Sequence, residues 1–145
     1  MSPSETRPTY LTRRLRFSAA HRYHHPELSD EENRRIFGAC NNRYGHGHNY
    51  ELEVTVVGPV DPVTGMVMNL VDLDQLLQRE IVTRFDHRHI NHEVEGFDTC
   101  VPTTENLAAR MWKLLELELP EHCRLHRIRL YEDPDLYVDC YGDRS

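Results

Sequence analysis

The chain has 145 residues, 39% of them hydrophobic, which is enough apolar material for one packed domain and too little length for two. Its 17 Lys and Arg against 24 Asp and Glu give a formal charge of −7, which excludes general attraction to nucleic acid or an anionic membrane. No apolar run reaches the roughly 20 residues that span a bilayer, the N-terminus lacks a signal-peptide core, and Cys40, Cys100, Cys123 and Cys140 are widely spaced, so a soluble, reduced, cytoplasmic protein is expected.

Residues 1–9 are rich in Ser, Thr and Pro and are expected to form a flexible tail, with a single domain over 10–145. "LTRRLRFSAAH" alternates as a strand, Leu11, Leu15, Phe17, Ala19 and His21 sharing one parity with Arg13 as the exception. "RYHHPELSDEENRRIFGACNN" has no sustained period and suits a long functional loop with a short helix over Asp30 to Ile36. A second strand runs from about His46 to Val57 and stops at Gly58-Pro59. "LVDLDQLLQREIVTRF" repeats apolar residues at helical spacing, and after the loop "DHRHINHEVEGFDTCVP" a second helix is expected from Thr104 to Leu119, ended by Pro120. "RLHRIRLYE" and "LYVDCYG" close the chain as strands. The order ββααββ predicts an α+β fold, a four-stranded antiparallel sheet with two helices on one face, whose open edge suits oligomerisation.

Side chains two apart on a strand share a face, so His46 and His48 continue the apolar face of Tyr50, Leu52, Val54 and Val56. His21 does the same on the first strand, and antiparallel pairing brings the three imidazoles together. Three imidazoles at matched parity have the pattern of a catalytic zinc site with one open position. Cys40 is open to three readings: a fourth ligand, a small buried hydrophobe, or a reactive thiolate. Asp86 and His87 suit an acid/base pair, and equally a helix C-terminus with a favourable dipole. Thr103, Thr104 and Glu105 open a helix, where capping accounts for the threonines. Glu132 ends the strand of Ile128 and Leu130, placed to accept paired hydrogen bonds from an amidine-like edge such as that of a pterin.

"FSAAHR", "LSDEEN", "FGACNNRYGHGHNYELEVTV", "DPVTGMVMNL", "DHRHIN", "PTTEN" and "LYE", in this order from about residue 15 to residue 132, resemble the 6-pyruvoyltetrahydropterin synthase family. The resemblance implies the tunnelling fold, with trimeric barrels stacked as a homohexamer and active sites between subunits. It implies zinc on His21, His46 and His48, a catalytic group of Cys40, Asp86 and His87, and pterin recognition by Glu132 with Thr103, Thr104 and Glu105. The implied substrate is 7,8-dihydroneopterin triphosphate, with no nicotinamide and no nucleic-acid or membrane partner. The related 6-carboxytetrahydropterin synthases of queuosine biosynthesis release acetaldehyde from that substrate and typically carry Cys-x3-His-x-His. Here the spacing is Cys-x5-His-x-His, which resembles the pyruvoyl-forming branch. Two readings from another class are a non-catalytic zinc and pterin-binding module, against which Cys40, Asp86 and His87 argue, and a structural zinc domain. Arg43, Tyr44, Asp133 and Pro134 depart from the family pattern.

Overall fold

A computed structural model describes residues 7–142, and strand β1 (Thr9–His21) already begins at Thr9. Of the expected flexible tail, residues 1–6 lie outside the described residues. β1 pairs antiparallel along its whole length with β2 (His46–Gly58), from Thr9↔Gly58 to His21↔His46. Between them lies helix α1 (Asp30–Phe37), entered through a capping box in which Ser29 Oγ accepts from Glu32 N–H and the Glu32 carboxylate accepts from Ser29 N–H. A 3₁₀ turn, Gly38–Asn41, then carries Cys40.

The expected single helix after β2 is helical throughout but irregular. It consists of α2 (Leu70–Leu77), a π segment (Gln78–Val82) and α3 (Thr83–Phe85). Leu73, Leu77, Ile81 and Phe85 all reach the core despite the change of pitch. Arg13, the exception to the parity of β1, makes a bidentate pair with Asp74 of α2, 2.8 and 3.0 Å, so its charge stays at the rim of the helical layer.

The four-stranded antiparallel expectation needs correction. The sheet is mixed and five-stranded, in the order β3-β1-β2-β4-β5, with β4 (Arg124–Asp133), β5 (Leu136–Cys140) and a two-residue strand β3 (Arg88–His89) parallel to β1. Two anchors draw the loop after α3 along the edge of β1: Asp86 accepts from Ser18 N–H at 2.8 Å and His87 N–H donates to Ser18 C=O at 2.6 Å. A two-residue strand has no alternation to read. A one-turn helix α4 (Ile90–Glu93) follows, and α5 (Thr104–Glu116) stops short of Leu119 because the residue before Pro120 avoids the helical region.

The inward apolar residues of α2, α3 and α5 pack with Phe17, Tyr50, Leu52, Val54, Ile128 and Leu130 in one core. β2 is central, so its opposite face is covered too. Glu53 lies beneath Arg14 (2.8 Å) and Arg127 (3.2 Å), whose aliphatic stems exclude water while their heads neutralise it. Among the described residues no helix is long and apolar enough to cross a membrane.

Leu52 is fully buried between Leu15 and Leu130 on the neighbouring strands. Leu52→Ala is expected to lower stability by about 2–5 kcal/mol through the cavity it leaves. Chemical denaturation at fixed protein concentration checks this, and an unchanged midpoint would show that the centre of the sheet collapses around the vacancy.

Candidate metal centre and active site

Three strands end at the same corner of the sheet, each continuing its core face with a polar residue. His21 follows Phe17 and Ala19 on β1, His46 and His48 precede Tyr50 on β2, and Glu132 follows Ile128 and Leu130 on β4. One donor atom from each of His21, His46, His48 and Glu132 lies within 4.8 Å of the others. The expected meeting of the three imidazoles is what the structure has, with Glu132 as a fourth member.

The donor set fits a cation. Nε2 of His21 and of His48 is buried without a hydrogen-bond partner. His48 Nε2 comes within 2.9 Å of Glu132 Oε1, and His21 Nε2 within 3.8 Å, but neither approach has the directionality of a hydrogen bond. His21 is held from behind by the Tyr50 hydroxyl, 2.8 Å from its Nδ1. With Nδ1–H donating to Tyr50, the Nε2 lone pair faces the cluster, the outer-layer arrangement that orients metal-binding imidazoles. Burial, and then the neighbouring imidazoles, lower the pKa of His21 to about 3 and that of His46 in the same direction, which keeps lone pairs available.

Glu132 is buried, and its second oxygen accepts from Thr104 Oγ at 2.6 Å and from the Tyr23 hydroxyl at 3.2 Å. Thr103 is the N-cap of α5, accepting from Asn106 N–H, whereas Thr104 is turned inward to Glu132 and Glu105 is exposed. Capping therefore accounts for one threonine and not the other. Cys40 stands beside this group, half-buried, its carbonyl accepting from Tyr23 N–H at 2.8 Å. Burial, and then the Glu132 charge, push its thiol up. Gly45 closes the corner at φ +77°. A Cβ there would lie 2.9 Å from His21 C=O and 3.0 Å from His89 Nε2, so the turn into His46 requires glycine.

Asp86 and His87 do form a pair, Oδ1 to Nδ1 3.0 Å, at the edge of β1. His87 has φ +59°, alone in this among the described non-glycine residues, and its side chain is 83% exposed. It shares an open groove of about 410 Å³ with His48, Ser18 and Asn49, and no hydrogen bond or ion pair among the described residues joins it to Cys40. Ser18 N–H holds the Asp86 carboxyl below its usual range, with a further contribution from His87.

Residues 10–143 match the family model of 6-pyruvoyl tetrahydropterin synthase. The chain belongs to this family. It is 50% identical to the 6-pyruvoyl tetrahydrobiopterin synthase of Poecilia reticulata over 86% of this chain and 88% of that one. It is 47% identical to the Homo sapiens enzyme of the same name, over 92% and 91%. The solved 6-pyruvoyl tetrahydropterin synthase of Caenorhabditis elegans superposes with a TM-score of 0.91 at 37% identity, covering 96% of this chain and 99% of that one.

Sequence reasoning missed Tyr23, which carries no strand parity because β1 ends at His21, and the hydroxyl of Tyr50, which reads as one more apolar residue. It also missed Asn41, whose buried amide donates to Tyr23 C=O at 2.7 Å and ties the Cys40 turn to Tyr23. His89 is half-buried in β3 with its ring 4.3 Å from that of His92.

The lowered pKa of His21 sets a pH dependence for the metal-free protein. The unfolded chain binds a proton near pH 6.5 and the folded chain only near 3, so stability is complete above 6.5 and falls as pH drops through that window. Urea midpoints at pH 7.5 and 4.5 after chelation should differ, and His21→Asn should flatten the difference. An equal difference in the variant would show that His21 is not the group responsible.

Proposed function

We propose that the chain is a zinc-dependent synthase that converts 7,8-dihydroneopterin triphosphate into 6-pyruvoyl-tetrahydropterin with expulsion of triphosphate. The observation that carries this reading is the convergence of His21, His46, His48 and Glu132 beside Cys40, in a chain of this family. His21, His46 and His48 would hold the zinc ion, which would supply Lewis acidity for a substrate oxygen when bound.

Cys40 is the base that takes this proton. Its thiol, pushed up within one chain, ionises only against added positive charge, which a protonated His87 supplies from a neighbouring copy. Asp86, fixed by Ser18 N–H, orients His87 for the second proton transfer, the one that expels triphosphate. Return of the first proton to the ring reduces the pterin as its side chain is oxidised, so no nicotinamide is consumed. Glu132 anchors the 2-amino-pyrimidinone edge, with Thr104 and Tyr23 holding its carboxylate and the Thr103–Glu105 turn beside it.

The exposure of His87 and its separation from Cys40 support sites shared between subunits of a homohexamer, a dimer of trimers. Four free thiols support a reducing, cytoplasmic setting.

Zinc-loaded protein incubated anaerobically with 7,8-dihydroneopterin triphosphate and no nicotinamide tests the reading. The expected product has lost triphosphate and kept every side-chain carbon by mass. Carboxylated pterin with acetaldehyde would move the chain to the other branch, and binding without product would make it a non-catalytic module. Cys40→Ala is expected to keep zinc and lose roughly 10²–10⁴-fold in turnover, whereas metal loss would make Cys40 a ligand. His48→Ala should lose zinc. Glu132→Gln should weaken pterin binding with zinc content unchanged, and a drop in zinc would make Glu132 a ligand instead of the pterin anchor.

A further inference from the structure

Beside the Cys40 turn, on the side where Gly38, Ala39, Asn41 and Asn42 line its outer wall, lies a groove of about 720 Å³. Arg22, Arg34, Arg43 and His24 line it, together with one acid, Asp30. Several arginines of this acidic chain are offset by carboxylates: Arg14 and Arg127 on Glu53, Arg129 on Asp139, Arg84 on Glu80. The three arginines of the groove are not. Among the described residues none has a carboxylate within 4.0 Å, Asp30 included.

Arg22 and His24 are held in place by neutral partners. Asn91 bridges the backbone of Arg22 in both directions, accepting from its N–H and donating to its C=O, each at 2.8 Å, while Arg22 Nε donates to Asn41 C=O at 3.3 Å. That leaves the terminal nitrogens of the guanidinium as uncommitted donors. Asn41 also donates to His24 Nδ1 at 3.1 Å, so His24 carries its proton on Nε2, as a donor. Arg34 projects from α1, and Arg43 rests over the Tyr44 ring at 5.6 Å. A cluster of unpaired, fork-shaped donors with one protonated imidazole nitrogen matches a chain of phosphate groups, which carries several charges and accepts two hydrogen bonds per group.

We propose that this groove holds a polyphosphate chain, and that the chain is the triphosphate arm of the substrate. The second half of this rests on the synthase reading. Arg22, Arg34 and Arg43 then bind the leaving group as it departs, on the far side of the same turn that presents Cys40 to the reacting carbons. Arg43, which departs from the family pattern, acquires a role here that the metal centre does not give it.

Isothermal titration calorimetry of the full-length, zinc-loaded protein with inorganic tripolyphosphate reads the site directly, with zinc content measured after each titration. Saturable binding is expected, weakened about tenfold or more in each of Arg34→Gln and Arg43→Gln, both exposed positions, with circular dichroism unchanged. Wild-type affinity in both variants would overturn the proposal. In turnover of 7,8-dihydroneopterin triphosphate, the same variants should raise KM and tripolyphosphate should compete with substrate. Binding lost in the variants but not competing with substrate would overturn the assignment to the substrate's own arm and make the groove a site for a separate polyphosphate. Binding lost in the variants of a protein that turns over no pterin would uphold the groove while the synthase reading fails.

Discussion

The register of β1 against β2 is the constraint on which the site depends. His21 faces His46 at the end of a ladder in which Leu15 faces Leu52 and Phe17 faces Tyr50, the two rings stacked 4.9 Å apart. Strand side chains repeat every two residues, so a slip of one would turn the imidazoles to the opposite face and carry every core residue of the strand with them. Removing one large apolar side chain from the core costs about 1.5–3 kcal/mol in lost burial, and such a slip would expose several at once. The His21, His46, His48 and Glu132 cluster needs no separate folding information, because it is the polar end of a hydrophobic pattern that the core already enforces.

That economy places unusual chemistry against the core. A carboxylate and an imidazole as deeply buried as Glu132 and His21 are tolerable only when their polar atoms are engaged. Tyr50 satisfies one nitrogen of His21, and Thr104 and Tyr23 satisfy one oxygen of Glu132. What is left over is a ring of lone pairs and one negative charge facing inward, with Nε2 of His21 and of His48 lacking partners. Burial, and then this negative charge, push the neighbouring Cys40 thiol up. This set of lone pairs and charge fits a cation.

How far this was legible in the sequence follows from the length of each pattern. Alternation over a 13-residue strand placed His21, His46 and His48 on the core face, and the long helices were visible in their 3.6-residue repeat. Glu132 has the parity of Ile128 and Leu130, so its face was readable. Its approach to His48 was not, because it depends on the β2–β4 register, which a bulge shifts between Thr55 and Val56. Thr104 reads as part of a cap because capping acts on one residue, whereas the hydrogen bond to Glu132 acts across 28 positions. β3 and the π segment are too short to carry a period, and Tyr23 lies just beyond the strand whose alternation would have placed it.

Charge distribution connects the fold to its substrate. With a formal charge of −7 the protein as a whole repels a triphosphate, but screening confines that repulsion to about 8 Å at physiological ionic strength. Local pairing therefore decides where an anion can settle. On the sheet, Glu51, Glu53 and Asp139 take up the arginines beside them, so the face opposite the helices presents alternating signs with no net attraction for an anion. In the segment from Arg22 to Arg43 three of the four acids lie in the first turn of α1, where Glu32 is committed to the cap and Asp30 and Glu31 favour the helix N-terminus. Capping thus draws acidic residues to one end of α1 and leaves Arg34, Arg22 and Arg43 without carboxylate partners beside the Cys40 turn. The residues that start the helix and those that can receive an anion are sorted by the same short stretch of sequence.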